Sequence, residues 1–202
     1  MRFSNTAEQA LRNLVLSAQM EKKIISGVLV FVAMLLLLAF LFPSKKEVYN
    51  IEQHSFAAMQ STTLYFKNTR AFYYGLSEME EAGLNVYRFG KTLKTDTSAY
   101  LNFILVHNWR ADEVYVATEP SPEFLAMGPV DVLLGDTTIT LNKAAMNNEA
   151  QYDFAAAVFV ALLEQKKVRF SGSDKNLFGN TANQDANFTV LEDYFKWVYK
   201  YR

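Results

Sequence analysis

The chain has 202 residues and no cysteine, so disulfides, thiolate metal sites and cysteine nucleophiles are excluded. Its 20 basic and 21 acidic residues give a net charge of -1, without the positive excess expected of a nucleic-acid-binding protein. The 16 phenylalanines, 11 tyrosines and 2 tryptophans supply enough large apolar side chains for a core that needs no cross-links.

Residues 1–21 carry small and apolar side chains at helical spacing, which predicts a short amphipathic helix. The positions concerned are Ala7, Ala10, Leu11, Leu14, Val15 and Ala18. Such a helix suits a cytoplasmic tail that lies on the inner membrane face or continues the next segment. A docking helix for a cytoplasmic partner is the other interpretation, and the pattern does not separate the two.

Residues 22–46 predict a single-pass transmembrane anchor. Nineteen uncharged residues at 24–42 would form a helix of about 28 Å, close to the thickness of the hydrocarbon core of a bilayer. Paired lysines flank this stretch on both sides, as expected beside lipid head groups. A cleaved export signal is the alternative, but the apolar run is long for a signal and ends in Leu41, Phe42 and Pro43. The basic residues favour the N-terminus inside, which predicts an inner-membrane protein with a periplasmic domain.

Residues 47–83 predict a juxtamembrane helix that ends at Gly83, because glycine readily adopts the left-handed conformation after a helix. A spacing of three and four residues places one set of side chains on a common face. This set is Phe56, Met59, Thr63, Phe66, Arg70 and Tyr73. Such a face predicts either packing onto the protein's own domain or association with a second copy.

Residues 84–202 predict an α+β domain in which helices pack on one face of an antiparallel sheet. Alternating apolar and polar residues at 84–89, 99–109 and 112–119 indicate a three-stranded meander. Residues 131–141 indicate a hairpin that turns at Gly135 and Asp136.

The last third of the chain predicts two helices separated by a short strand and a loop. The first helix is expected to begin at Asn147 or Asn148 and end near Lys166, with Gln151 completing a capping box. Residues 167–170 are typical of a strand and residues 171–187 of a polar loop. The closing helix is indicated by the apolar positions Phe188, Leu191, Phe195 and Val198.

The sequence lacks the motifs of common catalytic and cofactor sites, so we expect no enzyme activity, no cofactor and no metal. It contains no G-x-S-x-G turn, no Walker-type phosphate loop and no G-x-G-x-x-G fingerprint. Its 2 histidines, His54 and His107, are far apart and without cysteines do not predict a zinc site. We expect His107 to form a hydrogen bond at a strand end and not to act as a base or ligand.

Protein binding is the chemistry that the sequence supports. The segment 119–129 surrounds apolar side chains with three prolines and a glycine, which predicts a semi-rigid loop either turned outward or folded over the sheet. The C-terminal segment 194–202 mixes aromatic and basic residues, which is typical of interfaces and equally of a closing helix. The candidate interaction residues are therefore Phe56, Met59, Phe66, Tyr73, Phe124, Leu125, Met127, Trp197 and Tyr199.

These features predict a non-enzymatic, bitopic structural subunit of a multi-protein, envelope-spanning complex of the secretion or motor type. Its periplasmic domain would scaffold other envelope-complex proteins, and the lipid bilayer and further copies of the chain are the other candidate partners. A membrane-proximal helix followed by an antiparallel sheet is a layout similar to that of periplasmic scaffold subunits of secretion machines. The alternative is a membrane-anchored periplasmic sensor that holds a small ligand between sheet and helix. An anchored enzyme, with a site built from scattered acids and His107, is the third interpretation.

Overall fold

The computed structural model describes residues 25–37, 51, 54–95, 98–142 and 146–199. The chain divides into two compact units, residues 1–47 and 48–202. In the first unit, residues 25–37 form a helix whose side chains are all exposed. Within the described ranges, no helix is both long enough and apolar enough to cross a membrane. The predicted tail helix and both ends of the predicted anchor lie outside those ranges.

The second unit is an α+β fold built on a four-stranded antiparallel sheet in the order β1-β2-β3-β4. The strands are Tyr74–Met79 (β1), Leu84–Phe89 (β2), Leu101–Asn108 (β3) and Glu113–Pro120 (β4). The meander predicted for the last three strands is confirmed. The sheet has one strand more than predicted, because β1 pairs with β2 along its whole length, from Tyr74 opposite Phe89 to Met79 opposite Leu84.

The prediction of one long helix over residues 47–83 is wrong. The helical part consists of helix α1 at Gln60–Tyr65, a π-helical turn at Phe66–Arg70 and a 3-10 turn at Ala71–Tyr73. After Tyr73 the chain enters β1, where Gly75 disfavours a helix and each residue gains a partner on β2. Gly83 has the predicted left-handed conformation, with φ of 70°, but it closes the connection from β1 to β2.

A second antiparallel sheet of three strands has the order β6-β5-β7. Its strands are Val130–Leu134 (β5), Thr137–Leu141 (β6) and Val168–Phe170 (β7), and the short helix α2 at Pro122–Ala126 precedes it. The predicted hairpin and short strand are thus confirmed. Gly135 has φ of 61° at the first of the two turn residues, which is the position that requires glycine in a type II′ turn.

Two long helices, α3 at Asn148–Leu163 and α4 at Thr181–Val198, pack on one face of the four-stranded sheet. The side chain of Asn147 caps α3 by accepting a hydrogen bond from the Ala150 N–H at 2.8 Å. Gln151 does not complete the predicted capping box. Its Oε1 instead accepts the N–H of Thr118 in β4 at 3.0 Å, which ties the start of α3 to the sheet.

Helix α4 begins earlier than predicted, so the expected loop is wrong for residues 181–187. Strand β2 pairs with β3 only from Leu105 onward, which leaves the N–H of Phe103 without a strand partner on that side. The Oδ1 of Asn187 accepts this N–H at 2.6 Å. Asn183 and Asn187 also both donate to the Oδ1 of Asn102, at 3.0 and 3.2 Å. Buried amides of α4 therefore replace a missing strand, because buried backbone groups require partners.

We predict that Asn187→Ala destabilises the domain. The substitution leaves the buried Phe103 N–H unpaired, which should lower the free energy of unfolding by roughly 1–3 kcal/mol. Chemical denaturation of the 202-residue chain in mild detergent, followed by circular dichroism, measures this change. Thr189→Ala is the control, because its exposed hydroxyl bonds only within α4. An Asn187→Ala effect no larger than that of the control would contradict the role of the amide network.

Candidate interaction surface

One side of the segment 60–73 is fixed against α4. The indole Nε1 of Trp197 donates to the Thr63 Oγ1 at 3.0 Å, and the ring of Phe66 stacks on the indole with centroids 3.8 Å apart. Arg70 bonds Asp193, one helical turn away from Trp197 on α4. The face predicted from sequence therefore exists between Thr63 and Arg70, and it packs onto the protein's own domain.

A buried ion pair holds the end of this segment and the start of β1 on α4. The Nε and Nη2 of Arg70 donate to the two carboxylate oxygens of Asp193 at 2.8 and 2.9 Å. The hydroxyl of Tyr74 donates to the same carboxylate at 2.6 Å. The bond to Asp193 raises the pKa of Arg70, and burial together with the Asp193 charge raises the pKa of Tyr74. Both groups therefore remain proton donors throughout the neutral range.

The segment and strand β1 also expose apolar side chains to solvent. Residues 64–79 contain six large apolar side chains that are each between 47% and 66% exposed. They are Leu64, Tyr65, Phe72, Tyr73, Leu76 and Met79, and we call them the β1 surface. Phe72 and Tyr73 contact each other with ring centroids 4.5 Å apart, and the Arg70 guanidinium lies 5.2 Å from the Tyr73 ring. Exposed apolar groups collected in one segment are typical of a binding site.

Strand β1 is also an edge of the four-stranded sheet. The Tyr73 carbonyl accepts the Gly90 N–H at 2.9 Å, in register with the β1–β2 ladder. Because hydrogen-bonding direction alternates along an antiparallel strand, the N–H and C=O groups of Tyr74, Leu76 and Glu78 point to the free edge. The Tyr74 N–H donates to the Ala71 carbonyl and closes the 3-10 turn, and the other backbone groups of this set have no strand partner among the described residues.

The other edge of the same sheet is covered. At the start of β4, the Val114 N–H donates to the Phe56 carbonyl and the Ala58 N–H donates to the Asp112 carbonyl, both at 2.7 Å. Further along β4, Gln151 accepts the Thr118 N–H. The sheet therefore has one closed edge and one edge that stays open in the part of the chain that the structure describes.

The structure separates the nine candidate interaction residues into buried and exposed groups. Phe66, Phe124 and Trp197 are core residues, so their predicted availability to a partner is wrong. Phe56 and Tyr199 are half-buried beside Tyr152. The centroid of the Phe56 ring lies 5.8 Å from that of the Tyr152 ring, and the Tyr199 hydroxyl forms a hydrogen bond with the Tyr152 hydroxyl. Met59 is also half-buried at the start of α1. Tyr73, Leu125 and Met127 are exposed, and among them Tyr73 belongs to the β1 surface.

The segment 119–129 is helical in its centre and not a loop. The Ser121 hydroxyl caps α2 by accepting the Phe124 N–H at 3.2 Å. Phe124 turns inward, with its ring 5.4 Å from that of Phe170, whereas Leu125 and Met127 turn outward. The inward orientation is therefore found for Phe124, and the outward orientation for Leu125 and Met127.

His107 lies inside the domain, where its ring centroid is 5.3 Å from that of Trp197. The expectation of a hydrogen bond at a strand end is wrong, because neither ring nitrogen has a partner among the described residues. Burial lowers the pKa of His107, and the positive charge of Lys67 lowers it further against the opposing effect of Asp112. The imidazole is therefore a neutral core group at physiological pH.

The clefts in the described part of the second unit include three with volumes of about 230, 320 and 220 Å³. The cleft of 320 Å³ lies between α3 and the β5–β6 hairpin, with Ile139 and Val160 in its lining. This volume is at the low end of the roughly 300–1,000 Å³ of small-molecule sites. No group of three His, Asp or Glu side chains in the described ranges is arranged to hold a metal ion.

We predict that Asp193→Asn destabilises the domain by roughly 2–4 kcal/mol, because it removes the negative charge that compensates the Arg70 guanidinium. Glu192→Gln is the matched control, since Glu192 forms a more exposed pair with Lys196 on the same helix. That variant should change the free energy of unfolding by less than about 0.5 kcal/mol. Chemical denaturation at pH 7 measures both. Equal effects would show that the Arg70 pair does not hold the segment.

We also predict a pH dependence caused by His107. The unfolded state binds a proton near pH 6.5, whereas the folded state resists protonation to a lower pH. Stability is therefore complete above about pH 6.5 and falls as the pH decreases, with a slope approaching about 1.4 kcal/mol per pH unit. Denaturation between pH 5 and 7.5 measures the slope. His107→Leu should flatten it, and an unchanged slope in His107→Leu would contradict the assignment.

No protein-family model, curated protein or solved structure matches the chain. Function is therefore inferred from the geometry of the β1 surface.

Proposed function

We propose that the chain is a non-enzymatic structural subunit of a multi-protein, envelope-spanning complex. In this proposal residues 22–46 anchor it in the inner membrane with the N-terminus inside. The α+β domain lies in the periplasm and binds other subunits through the β1 surface. The complex is of the type that forms secretion or motor assemblies.

The β1 surface is the observation that carries the proposal. Its apolar side chains are exposed on a segment that the Phe66–Trp197 stack and the Arg70–Asp193 pair fix to α4, with Leu76 and Met79 on opposite faces of β1. A partner that covers such side chains gains about 25 cal/mol for each Å² of apolar surface removed from water. The segment is held in place before binding, so little conformational entropy is lost when a partner docks.

The exposed helix at residues 25–37 supports the anchor. Ten of its side chains are large, apolar and between 45% and 67% exposed. A helix that is apolar on all sides is stable when protein or lipid surrounds it. Lipid is the surrounding that the flanking lysine pairs favour.

The geometry around the histidines favours binding over catalysis. His107 is sealed in the core against Trp197, and His54 bonds Asp153 at 2.6 Å on the surface. Nucleophilic catalysis requires a base within hydrogen-bonding reach of a nucleophile. His107 makes no hydrogen bond to any described residue.

A pull-down with surface variants tests the proposal. The full chain carries a C-terminal tag and is isolated from its native membrane in mild detergent, and copurifying proteins are identified by mass spectrometry. The double variant Phe72→Ser/Met79→Ser should lose partners, with affinity reduced by roughly 30-fold or more, because exposed aromatic anchors contribute about 2 kcal/mol or more to an interface.

Leu125→Ser/Met127→Ser is the matched control, because it removes two similarly exposed side chains from α2. It should retain the partners. Recovery of no partner with the unsubstituted chain, or equal recovery with both double variants, would contradict the proposal.

A further inference from the structure

We infer that the occupant of the β1 edge is a second copy of this chain, whose β1 strand pairs antiparallel with the first and joins two four-stranded sheets into one. This inference rests on the proposed role of the β1 surface in protein binding. It concerns the backbone of the edge strand as well as its side chains.

The first argument is the asymmetry of the sheet edges. The β4 edge is covered by Phe56, Ala58 and Gln151. The open β1 edge of one copy therefore cannot pair with the β4 edge of another copy. Two open β1 edges can pair with each other through a two-fold axis. The joined sheet has a closed edge on both sides, so it ends at two copies and does not grow further through this strand.

The second argument is the fit of the strand to itself. The Tyr74 carbonyl and the N–H and C=O groups of Leu76 and Glu78 are available at the free edge. One antiparallel register pairs Leu76 with its counterpart and the Glu78 N–H with the Tyr74 carbonyl. In this register Leu76 lies opposite Leu76 of the other copy, and Tyr74 lies opposite Glu78. Tyr73 then lies opposite Met79, so three exposed apolar residues of the β1 surface meet across the two-fold axis.

The third argument is charge complementarity. The turn after β1 carries the exposed carboxylates of Glu80 and Glu81, and the helical segment before β1 carries the exposed ammonium group of Lys67. The same register places the acidic turn of one copy beside the basic segment of the other. Opposite charges therefore approach each other twice, once at each end of the paired strands.

Single-cysteine variants provide the test, because the chain contains no other cysteine. In an antiparallel hydrogen-bonded pair the Cα atoms are about 5.5 Å apart, a distance that a disulfide spans. Leu76→Cys in the full chain in mild detergent should therefore form a linked dimer under gentle oxidation. Ser77→Cys should not, because its Cα would be about 8 Å from its counterpart at ordinary strand spacings.

Leu125→Cys is the control for random collision, since Leu125 is at least as exposed as Leu76. Its linked fraction should be lower than that of Leu76→Cys by on the order of tenfold or more. Mixing differently tagged Tyr73→Cys and Met79→Cys chains should give linked heterodimers in excess of either homodimer. Equal linkage of Leu76→Cys and Leu125→Cys would overturn the inference.

A charge variant separates this inference from the proposed function. Leu76→Lys places two like charges opposite each other and should weaken the dimer by at least about tenfold in native mass measurements. Its exposed side chain leaves the β1–β2 ladder intact, which circular dichroism checks. If the unsubstituted chain is monomeric and copurifies with partners that Leu76→Lys releases, self-pairing is wrong and the binding surface stands. If it is monomeric without partners, both proposals fail.

Discussion

The carboxylate of Asp193 lies inside the domain with only 4% of its side chain exposed, and Arg70 and Tyr74 bond both of its oxygens, as a buried charged group requires. The three residues come from the helical segment, from β1 and from α4, so one carboxylate joins three elements. It acts at the residue where the chain leaves a helical turn and enters a strand. The direction in which β1 starts, and hence which of its sides faces solvent, depends on this contact.

The domain completes its sheet with amide side chains wherever strand pairing is interrupted. Asn187 accepts a hydrogen bond from the part of β3 that β2 does not reach, and Gln151 accepts one from the outer side of β4. Each amide belongs to a helix, so these bonds also set the positions of α3 and α4 on the sheet. Strand β1 is different, because its outward backbone groups have no such side chain beside them in the described residues. An edge left open in a sheet that is otherwise completed in this way is a distinct feature of the surface.

Whether a strand or helix could be predicted from the sequence depends on the pattern that its apolar and polar residues form. Strands β2, β3 and β4 were predictable because apolar residues alternate over a run bounded by polar turns, and the helix α3 because its apolar positions recur at helical spacing. Strand β1 was not, since Gly75, Ser77 and Glu78 are poor strand formers that pair only because β2 lies beside them. The first two turns of α4 were missed because Asn183 and Asn187 are polar and yet buried.

The same reason limits what sequence could say about the surface. An aromatic side chain is equally suited to a core and to an interface, so composition did not separate the buried Trp197 from the exposed Tyr73. The Asp193 contact joins residues more than a hundred positions apart, and no local pattern indicates it. The exposed Phe72 and Leu76 become recognisable only when β1 is known to be an edge strand.

Comparison of two edge strands shows what distinguishes the β1 edge. Strand β6 is also an edge, and its exposed residues Thr137, Thr138 and Thr140 are polar and short. The Thr140 hydroxyl donates to Asp131 on the neighbouring strand at 2.6 Å, so this side chain is bonded within its own sheet. Strand β1 instead exposes Leu76 and Met79. Proteins commonly protect edge strands with polar or charged residues, and β6 follows that pattern, whereas β1 exposes Leu76 and Met79 beside the polar Ser77 and Glu78. It is therefore the composition of the strand, together with its position at an edge, that favours β1 as the binding edge.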